Sequence, residues 1–192
     1  MISYVTIQLS ELLQVSQEKN LEAIFKKFSC CLEKDLEDFL SAKAIRYEKI
    51  GYGRTFIIFD EKALDEGNIK VMAFFTISQT SIDLSEVSKK KRRKILGDYP
   101  GRDGLKSCPA YLIGQIGRSD EYSHDDLPGN VILSECYEAV RKAHQILGGR
   151  LITLECREGM YDIFYANNGF LKIDDKTNSD NLLTLYKKTN FE

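Results

Sequence analysis

Three stretches of this chain combine residue types that could do chemistry. The first is DIFYANNGF, residues 162–170. Successive side chains on a helix diverge by about 100°, so Tyr165 can face a cleft while Phe164 faces a core. An unperturbed phenol titrates near about 10, above a thiol at about 8.5, so Tyr165 can hand a proton to a departing thiolate. The plain alternative is a packed aromatic ring with its hydroxyl satisfied.

The second stretch joins a strand ending near Ile116 to a helix beginning near Leu127. A helix start offers unpaired N–H groups and the positive end of a dipole, which together bind phosphate without a basic side chain. Gly129 lets the backbone come close to a ligand. The plain alternative is a simple connection with Asp125 or Asp126 capping the helix. The third stretch is KKKRRK, six basic residues from Lys89 to Lys94. It could meet RNA or DNA phosphates or a phosphate on the adenosine end of a coenzyme, but no aromatic residue interleaves with it, and a solvated charged face is the favoured reading.

Metal chemistry finds little support. The cysteines at 30, 31, 108, 136 and 156 have no zinc-ligand spacing, and only His124 and His144 could assist them. Reduced, mostly buried thiols are expected, with no metal site. No Cys–His pair stands out as nucleophile and base.

Composition bounds the rest. A chain of 192 residues, 43% hydrophobic and 29% charged, suits one folded domain and argues against disorder. A formal net charge of −2 gives no general reason for a polyanionic partner. No apolar run approaches the roughly 20 residues of a membrane span. The first nine residues lack the charged start and apolar block of a signal peptide, so a cytoplasmic protein without a membrane partner is expected.

The elements that must position these residues follow from periodicity. Residues 2–9 read as a strand, with Ser10 as N-cap of a helix carrying Leu12, Leu13 and Val15. Leu21, Ile24, Phe25 and Phe28 share one helical face, as do Leu32, Leu36, Phe39, Leu40 and Ala44. Residues 55–59 and 70–78 read as a hairpin across a polar turn, and residues 85–107 as an excursion from the core. Then come a strand at 110–116, a helix at 127–147, a strand at 151–156, a short helix at 160–168 and a strand at 182–187. Pro128 suits the long helix's first turn, and Gly148-Gly149 its stop. This order implies a mixed sheet with helices on its faces.

Residues 151–173, LITLECREGMYDIFYANNGFLKI, resemble the second half of the core of the GNAT superfamily of N-acetyltransferases. Phe164, Tyr165, Gly169 and Phe170 match that family's Phe-Tyr-x-x-x-Gly-Phe ending position by position. Residues 111–140 resemble its fourth strand and the helix after it. The resemblance implies an α/β GNAT fold, a mixed, mostly antiparallel sheet splayed between its fourth and fifth strands with helices on both faces. It implies one domain over residues 1–192, with 1–108 as strands, helices and acceptor wall and 109–192 as the acetyl-coenzyme A core.

It also implies site residues. Strand-edge groups at Ile116, Gly117 and Arg118 would orient the thioester of acetyl-coenzyme A, and Tyr165 would protonate the departing sulfur. The pyrophosphate would rest on the loop aligned from His124 to Gly129 and on N–H groups of Gly129, Asn130 and Val131. Here the sequence departs from the family's Arg/Gln-x-x-Gly-x-Gly/Ala. Only the final Gly is kept, Leu127 stands at the first Gly, Pro128 has no N–H, and Asp125 and Asp126 are acidic. No general base is singled out among Glu121, His124 and Glu155.

The expected activity is acetyl transfer to an amine by direct attack, the acceptor being a small molecule or a macromolecule and a homodimer being compatible. Two alternatives accompany it. One is a toxin-like GNAT that acetylates aminoacyl-tRNA, and the other a non-catalytic acyl-coenzyme A-binding or scaffold protein.

Overall fold

The computed structural model describes residues 1–191, and the chain divides into two compact units. One comprises Met1–Ser78 and Gly114–Ala139, the other Gln79–Ile113 and everything from Val140 onward. The strands form a seven-stranded sheet in the order β1-β2-β3-β4-β5-β7-β6.

In the first unit, β1 (Tyr4–Gln8) pairs antiparallel with β2 (Arg54–Asp60), and β2 with β3 (Val71–Asp83). The apolar run beginning at Val71 is buried from Val71 to Ile77, as a strand covered on both faces must be. Four helices cover one of those faces: α1 (Leu9–Val15), α2 (Glu18–Phe25), α3 (Lys34–Ala42) and α4 (Ala44–Lys49). Leu21, Phe25, Leu36, Phe39, Leu40 and Ala44 all enter one core with Ile57, Phe59 and Phe74. Phe74 meets Phe28 edge-on at 5.3 Å and stacks on Phe39 at 6.1 Å. Full burial of a ring of this size contributes about 2–3 kcal/mol.

Two expectations change here. Helix α1 begins at Leu9, one residue before Ser10, and Gln8 holds the N-cap position without a side-chain bond. The burial of Leu9 fixes that start, because the core draws the apolar side chain into the first turn. The turn between β2 and β3 contains α5 (Glu61–Asp65), capped by Asp60 Oδ1 accepting the Ala63 N–H at 3.0 Å.

In the second unit, β4 (Ser107–Arg118) pairs in parallel with β5 (Leu151–Cys156) through the register Tyr111↔Ile152 and Leu112↔Thr153. That short ladder is the seam between the fourth and fifth strands. Then β7 (Leu183–Lys188) pairs antiparallel with β5 and with β6 (Leu171–Thr177), an added strand that extends the sheet. The excursion at 85–107 contains a helix, α6 (Lys89–Leu96), whose Ile95 and Leu96 join a core with Cys108, Leu151 and Tyr186. Helix α7 (Gly129–Leu147) and strands β3 and β4 run through both units. Its stop is as expected: the Gly148 N–H bonds the His144 carbonyl at 2.8 Å, and Gly148 has φ +67°.

Candidate active site

Ile116, Gly117, Arg118, His124, Gly129, Asn130 and Val131 all lie in the first unit, and Tyr165 lies in the second. Each group is built by its own local logic.

The first group follows the chain out of β4. Gly117 packs against α3, where a Cβ on it would meet Leu36 Cδ1 at 2.7 Å. Ile116 and Arg118 are half-buried on either side of it. Beyond them the Ser119 N–H bonds the Met72 carbonyl, and the Asp120 N–H bonds the Ser29 carbonyl, both at 2.8 Å. Asp120 in turn accepts the Cys31 N–H at 2.7 Å.

The loop from Ser123 to Leu127 is tied down at Ser123, Asp126 and Leu127. Asp126 Oδ2 accepts both the N–H and the hydroxyl of Ser123, at 2.8 and 2.7 Å. Ser123 Oγ accepts the Asp126 N–H, and the Leu127 N–H bonds the Ser123 carbonyl. The Ile2 N–H bonds the Asp126 carbonyl, and Arg118 Nη1 bonds the Leu127 carbonyl at 3.0 Å. The bonds from Ser123 hold the Asp126 carboxyl below the usual carboxylate range. Asp126 is thus turned into the loop rather than capping α7, and Asp125 is fully exposed. Leu127, at the position where the family keeps glycine, is a buried core residue.

What this leaves for an anion is narrower than the sequence suggests. The Val131 N–H bonds the Pro128 carbonyl at 3.0 Å, so the N–H groups of Gly129 and Asn130 are the donors a 19-residue helix leaves at its start. The Arg118 guanidinium adds positive charge at Leu127. The His124 side chain is exposed, with Nδ1 4.0 Å from Asp125.

Tyr165 sits at the end of a π-helical turn, Tyr161–Tyr165, which follows a single α-turn, α8 (Glu158–Met160). The expected short α-helix is therefore widened by one residue, and the Ala166 N–H reaches back five positions to the Tyr161 carbonyl at 2.8 Å. Such insertions recur at functional sites. Tyr165 is buried, with edge-on contacts to Phe164 at 5.0 Å and Phe170 at 5.7 Å. Gly169 turns the chain at φ +80°, which lets the Phe170 N–H bond the Tyr165 carbonyl at 3.1 Å. Lys187 Nζ bonds the Asn168 carbonyl at 2.8 Å and stands 5.8 Å from the Phe170 ring. Met160, just before the turn, and Ile163, within it, are exposed.

The sequence left Glu121 and Glu155 as further base candidates. Glu121 is 3.8 Å from Lys70, and Glu155 accepts from the Asn178 side chain at 3.0 Å. Neither lies in an arrangement that marks it as a base. Among the described residues no group of His, Cys, Asp and Glu could hold a metal, and no helix is long and apolar enough to cross a membrane.

No protein-family model matches the chain, and no curated protein matches it. Solved structures do. A protein described as a bacterial toxin superposes with a TM-score of 0.74 at 15% identity, over 98% of this chain and 92% of that one. AtaT complexed with acetyl-methionyl-tRNAfMet superposes with a TM-score of 0.66 at 17% identity, over 95% and 94%. A tyrosine-to-phenylalanine mutant of the AtaT toxin, bound to the C-terminus of the antitoxin AtaR and acetyl-CoA, gives 0.64 at 13% identity, over 96% and 92%. AtaT is a GNAT-family acetyltransferase.

The chain has the GNAT fold.

Within that fold β4 and β5 are the fourth and fifth strands, α7 is the helix after the fourth, and the π turn bears the Phe-Tyr…Gly-Phe ending. The loop bonds of Ser123 and the added strand β6 are what sequence reasoning missed. A Ser-x-x-Asp pattern at 123–126 was available as a signal for the first.

Proposed function

We propose that this chain is a toxin-type GNAT acetyltransferase that moves an acetyl group from acetyl-coenzyme A to the amine of an aminoacyl-tRNA. One observation supports this reading above others. The chain superposes over 95% of its length on AtaT in complex with acetyl-methionyl-tRNAfMet. It also keeps a tyrosine in the Phe-Tyr…Gly-Phe turn, and AtaT has been studied with a tyrosine replaced by phenylalanine.

The chemistry is a direct displacement. The neutral α-amine of the aminoacyl group attacks the thioester carbonyl, the C–N bond forms, and the C–S bond breaks as the tetrahedral intermediate collapses. The Tyr165 hydroxyl donates its proton to the departing sulfur, the charged nitrogen of the intermediate gives one proton to water, and a solvent proton restores the phenol, leaving the amide and the free coenzyme thiol. The N–H groups of Gly129 and Asn130, with the Arg118 charge behind them, hold the pyrophosphate of the coenzyme. Ile116 and Gly117 offer backbone groups to its pantetheine arm, and His124 stands at the first position of the loop.

The test is acetylation of a set of charged tRNAs with radiolabelled acetyl-coenzyme A, beside polyamines and small amines. Incorporation into one or more aminoacyl-tRNAs, slowed about 100-fold by Tyr165→Phe, is expected. Labelling of free amines with no labelling of tRNA would overturn the acceptor. Tight coenzyme binding without any transfer would overturn the enzyme.

A further inference from the structure

The turn that carries Tyr165 is closed by its own bonds. The Ala166 N–H reaches the Tyr161 carbonyl, and the Phe170 N–H returns to the Tyr165 carbonyl. Between them the Asn168 N–H bonds the Phe164 and Tyr165 carbonyls at 3.2 and 3.1 Å. The side chains of Asn167 and Asn168 add bonds to the Ile163 and Phe164 carbonyls, at 3.1 and 2.9 Å. All of these begin and end within residues 161–170. They fix the shape of the turn but not its place on the sheet.

Lys187 supplies a bond of another kind. It lies on β7 opposite Ile152 of β5, one residue beyond the Leu171↔Tyr186 pair of the β6–β7 ladder. Its side chain runs past Gly169, with Cε and Nζ each 3.7 Å from where a Cβ on that glycine would stand. Nζ donates to the Asn168 carbonyl at 2.8 Å and stands 5.8 Å from the centre of the Phe170 ring. That ring is one of the two that meet Tyr165 edge-on. One ammonium from β7 thus holds a carbonyl at the end of the turn and faces the ring that buttresses Tyr165. Burial pushes the Lys187 ammonium down from its ordinary value. A charge-assisted bond drawn out of water in this way is stronger than one at the surface.

We infer that Lys187 is a positioning residue for the Tyr165 hydroxyl, anchoring the turn to β7 through the Asn168 carbonyl and the Phe170 ring. The inference rests on the reading of Tyr165 as the proton donor. An acid acts only within hydrogen-bond reach of the departing sulfur, and a misplacement of about 1 Å can cost on the order of 100-fold in rate. A π turn is open to such a slip, because relaxing it to an ordinary helix rotates every later side chain by about 100°. Lys187 opposes that slip by holding the far end of the turn to the sheet.

The test sets Lys187→Met, which keeps an apolar stem and loses the ammonium, beside Lys187→Arg, which keeps the charge and a donor. In Lys187→Met, kcat for aminoacyl-tRNA should fall roughly tenfold with KM for acetyl-coenzyme A unchanged, and Lys187→Arg should recover most of the loss. Added to Tyr165→Phe, Lys187→Met should cost nothing more, since the hydroxyl that it positions is gone. The Ala166 and Phe170 amides should exchange with solvent roughly tenfold faster in Lys187→Met, with the amides of β5 unchanged. Should the methionine form not fold, Lys187→Gln, uncharged and one atom shorter, carries the same comparison. An unchanged kcat in the single variant would overturn the inference, as would an equal loss in the Tyr165→Phe background. Lys187 and the reading it rests on fail separately. If wild-type protein acetylates no aminoacyl-tRNA, the acceptor falls, while faster exchange in Lys187→Met upholds the anchor from β7 and unchanged exchange sinks it. If Tyr165→Phe slows transfer and Lys187→Met does not, the acid stands and Lys187 falls.

Discussion

Tyr165 keeps its ring contacts with Phe164 and Phe170 when only the hydroxyl is removed. Tyr165→Phe should therefore lower kcat about 100-fold, the low end of what a positioned acid supplies, with little change in KM for acetyl-coenzyme A or in melting temperature. Steady-state kinetics beside thermal unfolding checks both. A second residue pair gives a pH prediction. Cys31 is exposed, whereas Cys30, Cys108, Cys136 and Cys156 are buried. Hydrogen bonding to Asp120 and that carboxylate's charge raise the Cys31 thiol. Less thiolate is then present near pH 8, so alkylation of native protein should be slower than for a free cysteine, and Asp120→Asn should speed it. Equal alkylation rates for the two proteins across pH 7–9 would refute this. The turn that carries Tyr165 was legible in the sequence because Phe164, Gly169 and Phe170 fix a pattern. The Cys31–Asp120 contact was not, since it joins residues 89 apart and nothing local signals it.

Elements differ in how plainly they were written. Helix α7 was readable because Leu133, Cys136 and Val140 hold one apolar face and glycines end it. Helix α6 was not, because six successive cations carry no periodicity, and its two buried residues fall at the very end. The π turn was read as an ordinary helix, since one inserted residue leaves the composition unchanged. Its exit depends on Gly169 at φ +80°, where a Cβ would meet no atom closer than 3.7 Å. Gly169→Ala should thus cost only the backbone strain, about 1–2 kcal/mol by urea unfolding. The loop before α7 offers a complementary test. The Asp126 carboxyl is depressed by its bonds from Ser123, so this link stabilises the fold above the ordinary carboxylate range and is lost as pH falls through the depressed value. In Ser123→Ala the Asp126 titration followed by NMR should move up toward the ordinary value, and the acid limb of unfolding should begin at higher pH.

At the scale of the molecule, donor binding should appear as stability. At 100 times its dissociation constant, acetyl-coenzyme A adds about 2.7 kcal/mol, which for a chain of this size raises the melting temperature by roughly 5–10 °C. An absent shift at millimolar coenzyme would mean that Gly129 and Asn130 alone do not hold the pyrophosphate. The overall architecture was legible from the alternation of strands and helices after residue 110, while the division into two units was not, because no Gly-, Pro- or Ser-rich linker marks it. The chain passes from one unit to the other inside β3 at Ser78–Gln79, inside β4 at Ile113–Gly114 and inside α7 at Ala139–Val140. Neither unit is a continuous stretch of chain, so a fragment cut at any of the three crossings would lose part of a strand or a helix.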